Sequence, residues 1–182
     1  MAHTNADRAA GHGVNDALAA ALGLVATTPL ERSDVPGVGL GRVGTLQQPL
    51  TLTAFAERVA AALPATAGGV RMAGDPAREV RTVAVCGGSG GSLFPAAARA
   101  GADVVVTSDL KHHAASEALE AGGPALVDVA HWAGEWPWLP VAAELLERDL
   151  CGRITVGVSA RVTDPWSRRV GDDGDPVGHP AG

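Results

Sequence analysis

The period of the apolar positions changes several times along the chain. Val14, Leu18, Ala21 and Leu22 recur at helical spacing and Gly23 closes the pattern, which predicts a first amphipathic helix. Residues 25–50 are rich in Pro and Gly. Within them Gly37-Val38-Gly39-Leu40-Gly41-Arg42-Val43-Gly44 reads as a close-packed turn or bulged strand, expected to form the crossover between lobes. Helical spacing returns at Phe55, Val59, Ala62 and Leu63, and Pro64 ends it. The second half alternates the two periods. It predicts strands over 80–86, 102–107, 125–129 and 153–158, with helices over 92–100 and 112–120 and a Pro-punctuated helix over about 134–149. Such alternation implies parallel strands joined by crossover helices, an α/β fold of layered sheet with flanking helices. Residues 170–182 carry too little apolar surface to offset the entropy of ordering them and read as a loose tail.

Composition narrows the function classes. The 182 residues are 46% apolar and 19% charged, enough for a real core. The 20 acidic side chains outnumber the 14 basic ones, for a formal charge of -6, which argues against a grip on nucleic acid or an anionic membrane. Cys86 and Cys151 belong to no C-x-x-C pair, so neither a disulfide framework nor a thiolate zinc site is indicated, and a reducing cytoplasm fits. No apolar run approaches the roughly 18 residues of a membrane span, and the start lacks the basic-then-apolar order of a signal peptide.

The chemistry-bearing residues fall at predicted strand ends. His131 and Glu135 follow the 125–129 strand four residues apart, so on a helix they share a face and could hold one metal; a solvated pair is the bland alternative. The carboxyl ends of strands in open α/β sheets are where ligands bind. A second group, Thr107-Ser108-Asp109-Leu110-Lys111-His112-His113, sets hydroxyls, a carboxylate, an amine and two imidazoles at the same rim, as supporting residues for a metal, a proton shuttle or simply a helix cap. A third, His3-Thr4-Asn5-Ala6-Asp7, reads as another strand terminus carrying a carboxylate, or as a cap or turn, which use the same residue types. Gly87-Gly88-Ser89-Gly90-Gly91-Ser92 matches no nucleotide fingerprint; it could still offer backbone N–H groups to an anion. Trp132, Trp136 and Trp138 could wall a pocket, fill a subunit contact or pack the core.

In order, these motifs together with Thr163-Asp164-Pro165-Trp166 resemble the Nif-three-like dinuclear metal centre family, whose bacterial members are often labelled GTP cyclohydrolase I type 2 homologues. The resemblance covers about residues 2–166. It implies a two-lobed α/β fold, a toroidal homohexamer and two divalent metals per subunit, iron or zinc foremost. It places the metal ligands on Asp7, His131 and Glu135, with His113 and His3 beside them as candidate catalytic residues; Ser108 stands where the family has Gly. It also implies an absence, because family members begin with a further stretch holding a His-His pair that completes the metal set. On this view residues 1–63 are the remnant of an incomplete first lobe plus the crossover. Residues 64–160 are the second α/β segment and 161–182 the Gly/Pro-rich tail.

Two adjacent dications need several anionic or imidazole ligands to offset their repulsion, and Asp7, His131 and Glu135 alone are few. A lobe short of strands would leave an open edge and make the chain poorly soluble or dependent on a partner. Three function classes follow. One is a metal-dependent hydrolase of a nucleotide or phosphoester in the full-length form, with Lys111 and the Gly-rich loop as phosphate contacts. The others are a non-catalytic metal-binding scaffold or regulatory protein, and a truncated, degenerate homologue.

Overall fold

A computed structural model of the chain describes residues 3–170, and the tail expected over 170–182 lies outside them apart from its first residue. Helices α1 (Thr4–Arg8) and α2 (Val14–Ala21) lead into a long hairpin, β1 (Val25–Arg32) and β2 (Gly39–Thr51). Helix α3 (Leu52–Ala62) and the short β3 (Arg71–Ala73) precede the βαβαβ run. That run is β4 (Glu79–Ser89), α4 (Phe94–Arg99) after a tight turn, β5 (Val104–Ser108), α5 (His112–Glu120) and β6 (Ala125–Asp128), followed by α6 (His131–Glu135) and α7 (Trp138–Asp149).

The six strands form one mixed sheet in the order β1-β2-β4-β5-β6-β3. The inner three are parallel, as the strand–helix alternation predicts, and the outer pairings are antiparallel. Period-2 burial builds the two layers. Val83, Val85, Val104, Val106, Ala125 and Val127 meet α2 and α3 through Leu18, Leu22, Phe55 and Val59. The intervening Ala84, Val105 and Leu126 meet α4 and α5 through Phe94, Ala97, Ala115 and Leu119. Each fully buried Leu, Val or Phe of these layers contributes about 1.5–3 kcal/mol.

Three expectations change and one is narrowed. The 25–50 segment forms the β1–β2 hairpin, paired into the same sheet as β4, so that of the two readings of its Gly-rich part the irregular strand holds and the turn does not. The 3–7 segment is a helical turn rather than a strand terminus. The helix expected over 134–149 is two helices, α6 and α7, joined through Pro137. No strand forms over 153–158, because β3 already occupies the edge of β6 and the chain turns away through Cys151 (φ 47°) and Gly152 (φ 73°). Among the described residues no helix is long and apolar enough to cross a membrane.

Candidate metal centre

The carboxyl ends of β4, β5 and β6 run out side by side into the Gly87–Gly90 segment, the Ser108–Asp109 turn and α6. Asn15 on α2, wholly buried, brings α1 to the same rim: its Nδ2 donates to the Asp7 carbonyl at 2.8 Å and its Oδ1 accepts from the Gly87 N–H at 2.8 Å. Arg42 of β2, only 2% exposed, locks this corner. It donates to both carboxylate oxygens of Asp16 (2.6 and 2.9 Å) and to the carbonyls of Ala9 (2.5 Å), Gly39 and Gly41 (2.8 Å each).

Glu135 is the centre of the cluster so assembled. Its Oε1 lies 3.1 Å from His131 Nε2, and its Oε2 lies 3.5 Å from His3 Nε2. His3 Nδ1 lies 3.1 Å from Asp7 Oδ1, and His131 Nδ1 lies 2.6 Å from Asp109 Oδ2. The result is an alternating series, Asp7, His3, Glu135, His131, Asp109. Two i,i+4 pairs produce most of it, His3 with Asp7 across α1 and His131 with Glu135 across α6.

One ligand atom from each of His3, Asp7 and Glu135 lies within 4.8 Å of the others. Imidazole and carboxylate ligands about 2.0–2.2 Å from one tetrahedral cation stand about 3.3–3.6 Å apart, so the three atoms would close in by up to about 1.5 Å on binding. Mixed N and O donors suit iron, zinc or manganese. The donor chemistry of His3, Asp7 and Glu135 therefore suits one divalent cation, and His131, outside that trio, adjoins it through its Nε2, 3.1 Å from Glu135 Oε1. A pair would need further donors.

Burial works to lower the pKa of His131 but is outweighed by its hydrogen bond to Asp109 and the charges of Glu135 and Asp109, so the net shift is upward. Cys86, on β4 beneath the cluster, goes the other way for a ligand. Burial first, then the charges of Asp7, Glu135 and Glu31, push its thiol up to about 12, so it remains protonated at neutral pH.

The Duf34/NIF3 (NGG1p interacting factor 3) profile matches residues 1–165. The chain belongs to that family. It is 51% identical over 177 residues to a Streptomyces coelicolor protein named GTP cyclohydrolase 1 type 2 homolog, covering 93% of this chain and 61% of that one. A Mycobacterium leprae protein of the same name is 51% identical over 144 residues, covering 77% of this chain and 37% of its own. The chain thus spans 61% and 37% of these two relatives' length, less than two thirds of either. The fold matches the crystal structure of a Bacillus cereus protein related to NIF3 with a TM-score of 0.80 at 24% identity, over 91% of this chain and 72% of that one.

Of the residues singled out in the sequence, the structure gathers Glu135 and His131 into hydrogen-bonding distance and links Asp7 to Glu135 through His3. His113 is not brought in. It is exposed in the first turn of α5 against the ring of His112, and makes no hydrogen bond or ion pair with the cluster. Lys111, also exposed, precedes α5. Two N–H groups of the Gly-rich loop are already engaged, that of Gly87 by Asn15 and that of Gly90 by Thr107 Oγ1. Of the tryptophans, Trp132 packs on the core, while the Trp136 and Trp138 indoles tie down the Ser159 and His12 carbonyls. Asn15 and the linkage through Arg42 were invisible to spacing arguments; a polar residue on the apolar face of α2 was the one available signal.

The loop brings backbone against the cluster. A Cβ on Gly88 (φ +71°) would stand 2.7 Å from Glu135 Oε1 and 2.9 Å from His131 Nε2. Gly88→Ala is expected to cost about 1–2 kcal/mol of stability through its left-handed backbone. It should weaken divalent-metal binding more severely, by displacing both side chains. Titration of zinc into wild type and variant checks this, and equal affinities would remove Gly88 from the site.

Proposed function

We propose that this chain carries part of the metal centre of a metal-dependent hydrolase acting on a nucleotide or other phosphoester. One observation supports this above the rest: both oxygens of the Glu135 carboxylate face imidazoles, brought from opposite ends of the sequence. Asp7 and Glu135 would hold the cation, their charge offsetting its own, with His131 as the imidazole ligand that the family resemblance implies, although it is His3 whose ring lies within 4.8 Å of both carboxylates. A bound divalent cation supplies Lewis acidity and lowers the pKa of coordinated water. His3, whose Nδ1 is fixed by Asp7, is placed to hold or move a proton at Nε2, a role that its position favours over His113. A second metal would take donors beyond those gathered here, as the two-lobed fold and His-His pair of the family resemblance imply. With them go a homohexameric assembly and, on the two free thiols, a cytoplasmic setting.

A cleft of about 660 Å³ opens beside His131 and Asp109, and is the candidate substrate site. Arg71, Arg169 and the indole of Trp166, which is 71% exposed, line it, offering guanidinium groups to phosphate oxygens and a plane to a ring. Trp166→Ala is expected to raise KM for a nucleotide substrate by about five- to a hundredfold while changing kcat less. Steady-state kinetics decide it, and an unchanged KM would remove the indole from the substrate site.

The direct test is release of formate or phosphate from GTP by metal-loaded protein. Metal retained in the cluster without turnover of GTP or other phosphoesters would favour the scaffold reading, which the one-cation donor set also suits. Absence of both metal and turnover would end the proposal.

A further inference from the structure

The carboxylate of Asp109 lies outside the ligand set, yet it makes the shortest contact in the cluster, 2.6 Å from His131 Nδ1. Its position is held from several sides. Asp109 has φ +59°, a left-handed conformation that Asp tolerates better than most residues, which turns the chain sharply at the end of β5. The next N–H, of Leu110, donates to Asp128 Oδ1 at 3.1 Å. The other Asp128 oxygen accepts from Arg71, directly opposite it in the β3–β6 register, through Nε at 3.0 Å and through Nη2. The adjoining strand ends are tied by the Val129 N–H donating to the Thr107 carbonyl at 2.9 Å. Asp109 does not cap α5: the N-cap there is Lys111, with no side-chain capping bond.

We infer that Asp109 is a positioning residue that fixes the ring orientation and tautomer of His131 for a cation, and that the Arg71–Asp128 pair clamps the turn presenting it. This rests on the reading of the cluster as a cation site. By accepting the Nδ1 proton, Asp109 leaves the Nε2 lone pair for the cation and raises the basicity of the ring. Without it the ring keeps Glu135 Oε1, 3.1 Å from Nε2, as its side-chain partner, which draws the ring proton onto Nε2, where it blocks ligation.

The experiment uses the full chain, zinc alone as the probe, and two substitutions. Asp109→Asn keeps the shape and a neutral acceptor. Asp109→Gly keeps the left-handed backbone and removes the acceptor altogether. Calorimetric titration should show zinc affinity falling about 10–100-fold, more for Gly than for Asn, with the urea unfolding midpoint of the metal-free protein little changed. Nitrogen NMR of the His131 ring should report one tautomer in wild type and a mixture in the Gly variant. Arg71→Ala should weaken zinc binding in the same direction, and unaltered affinity there would overturn the clamp. Zinc affinities of both Asp109 variants within twofold of wild type would overturn the positioning role. If wild type itself takes up no zinc, the cation reading falls. The positioning role is then decided by the ring NMR, and identical His131 signals with and without the Asp109 carboxylate would refute it.

Discussion

Arg42→Ala is expected to lower the free energy of unfolding by about 3–5 kcal/mol, the cost of breaking a buried charge pair by removing one partner. All five guanidinium donors of Arg42 are in use, on Asp16 and on the carbonyls of Ala9, Gly39 and Gly41. Alanine would leave a carboxylate only 17% exposed with the Gly13 N–H, at 3.2 Å from its Oδ2, in place of the guanidinium fork, and would take the guanidinium from the three carbonyls as well. Against a typical total of about 5–15 kcal/mol this is a large fraction of the fold's stability. Arg42→Lys should fall between the two, since one ammonium has three donors and no forked face for Asp16. The exposed Arg148–Asp149 pair is the control, and Arg148→Ala should stay within about 0.5 kcal/mol of wild type. Urea unfolding monitored by tryptophan fluorescence measures all three. A loss below about 1 kcal/mol for Arg42→Ala would mean that water replaces the guanidinium and that the corner does not depend on it. The same variant should lose metal affinity, because the Ala9 carbonyl holds the end of the segment that presents Asp7.

The β4–α4–β5–α5–β6 core is legible in the sequence because each unit contains its own period: Val83, Val85, Val104, Val106 and Val127 on one face, Ala84, Val105 and Leu126 on the other. The edges are not. β3 has only three residues, and β2 runs through the three glycines of Gly39-Leu40-Gly41-Arg42-Val43-Gly44, a stretch that reads equally as a turn. What makes β2 a strand is its pairing with β1 and β4, a long-range fact that local spacing does not carry. The site divides in the same way. His131 and Glu135 are legible because an i,i+4 pair straight after a strand is a local pattern. Asp109 reads as a cap from its letters, and only the fold shows its carboxylate on His131 instead. His113 was drawn in by the family motif, and its place on an exposed helical turn is set by where α5 starts, at His112.

Glu135→Ala is expected to abolish retention of a divalent metal, with a larger effect than His131→Ala, because Glu135 faces both imidazoles while each imidazole faces Glu135 and one other carboxylate. A ligand at about a thousandfold over its Kd stabilises the folded state by about 4 kcal/mol. For a chain of this size that is a rise in Tm of roughly 10 °C, which should vanish in Glu135→Ala and survive in part in Glu135→Gln. The pH dependence gives a second signature. Because the folded pKa of His131 is raised, despite the opposing effect of burial, its protonation stabilises the metal-free protein fully below the ordinary value near 6.5 and ceases to do so as the pH climbs through the raised one. Metal requires the neutral ring, so the metal-induced rise in Tm runs oppositely and grows over the same interval. Asp109 and Glu135 both hold that pKa up, so the interval should move down in Glu135→Ala and further once Asp109 is also replaced by Asn. A metal-induced Tm shift that persists undiminished in Glu135→Ala would place the cation elsewhere, and one that is flat in pH would mean that His131 does not hold it.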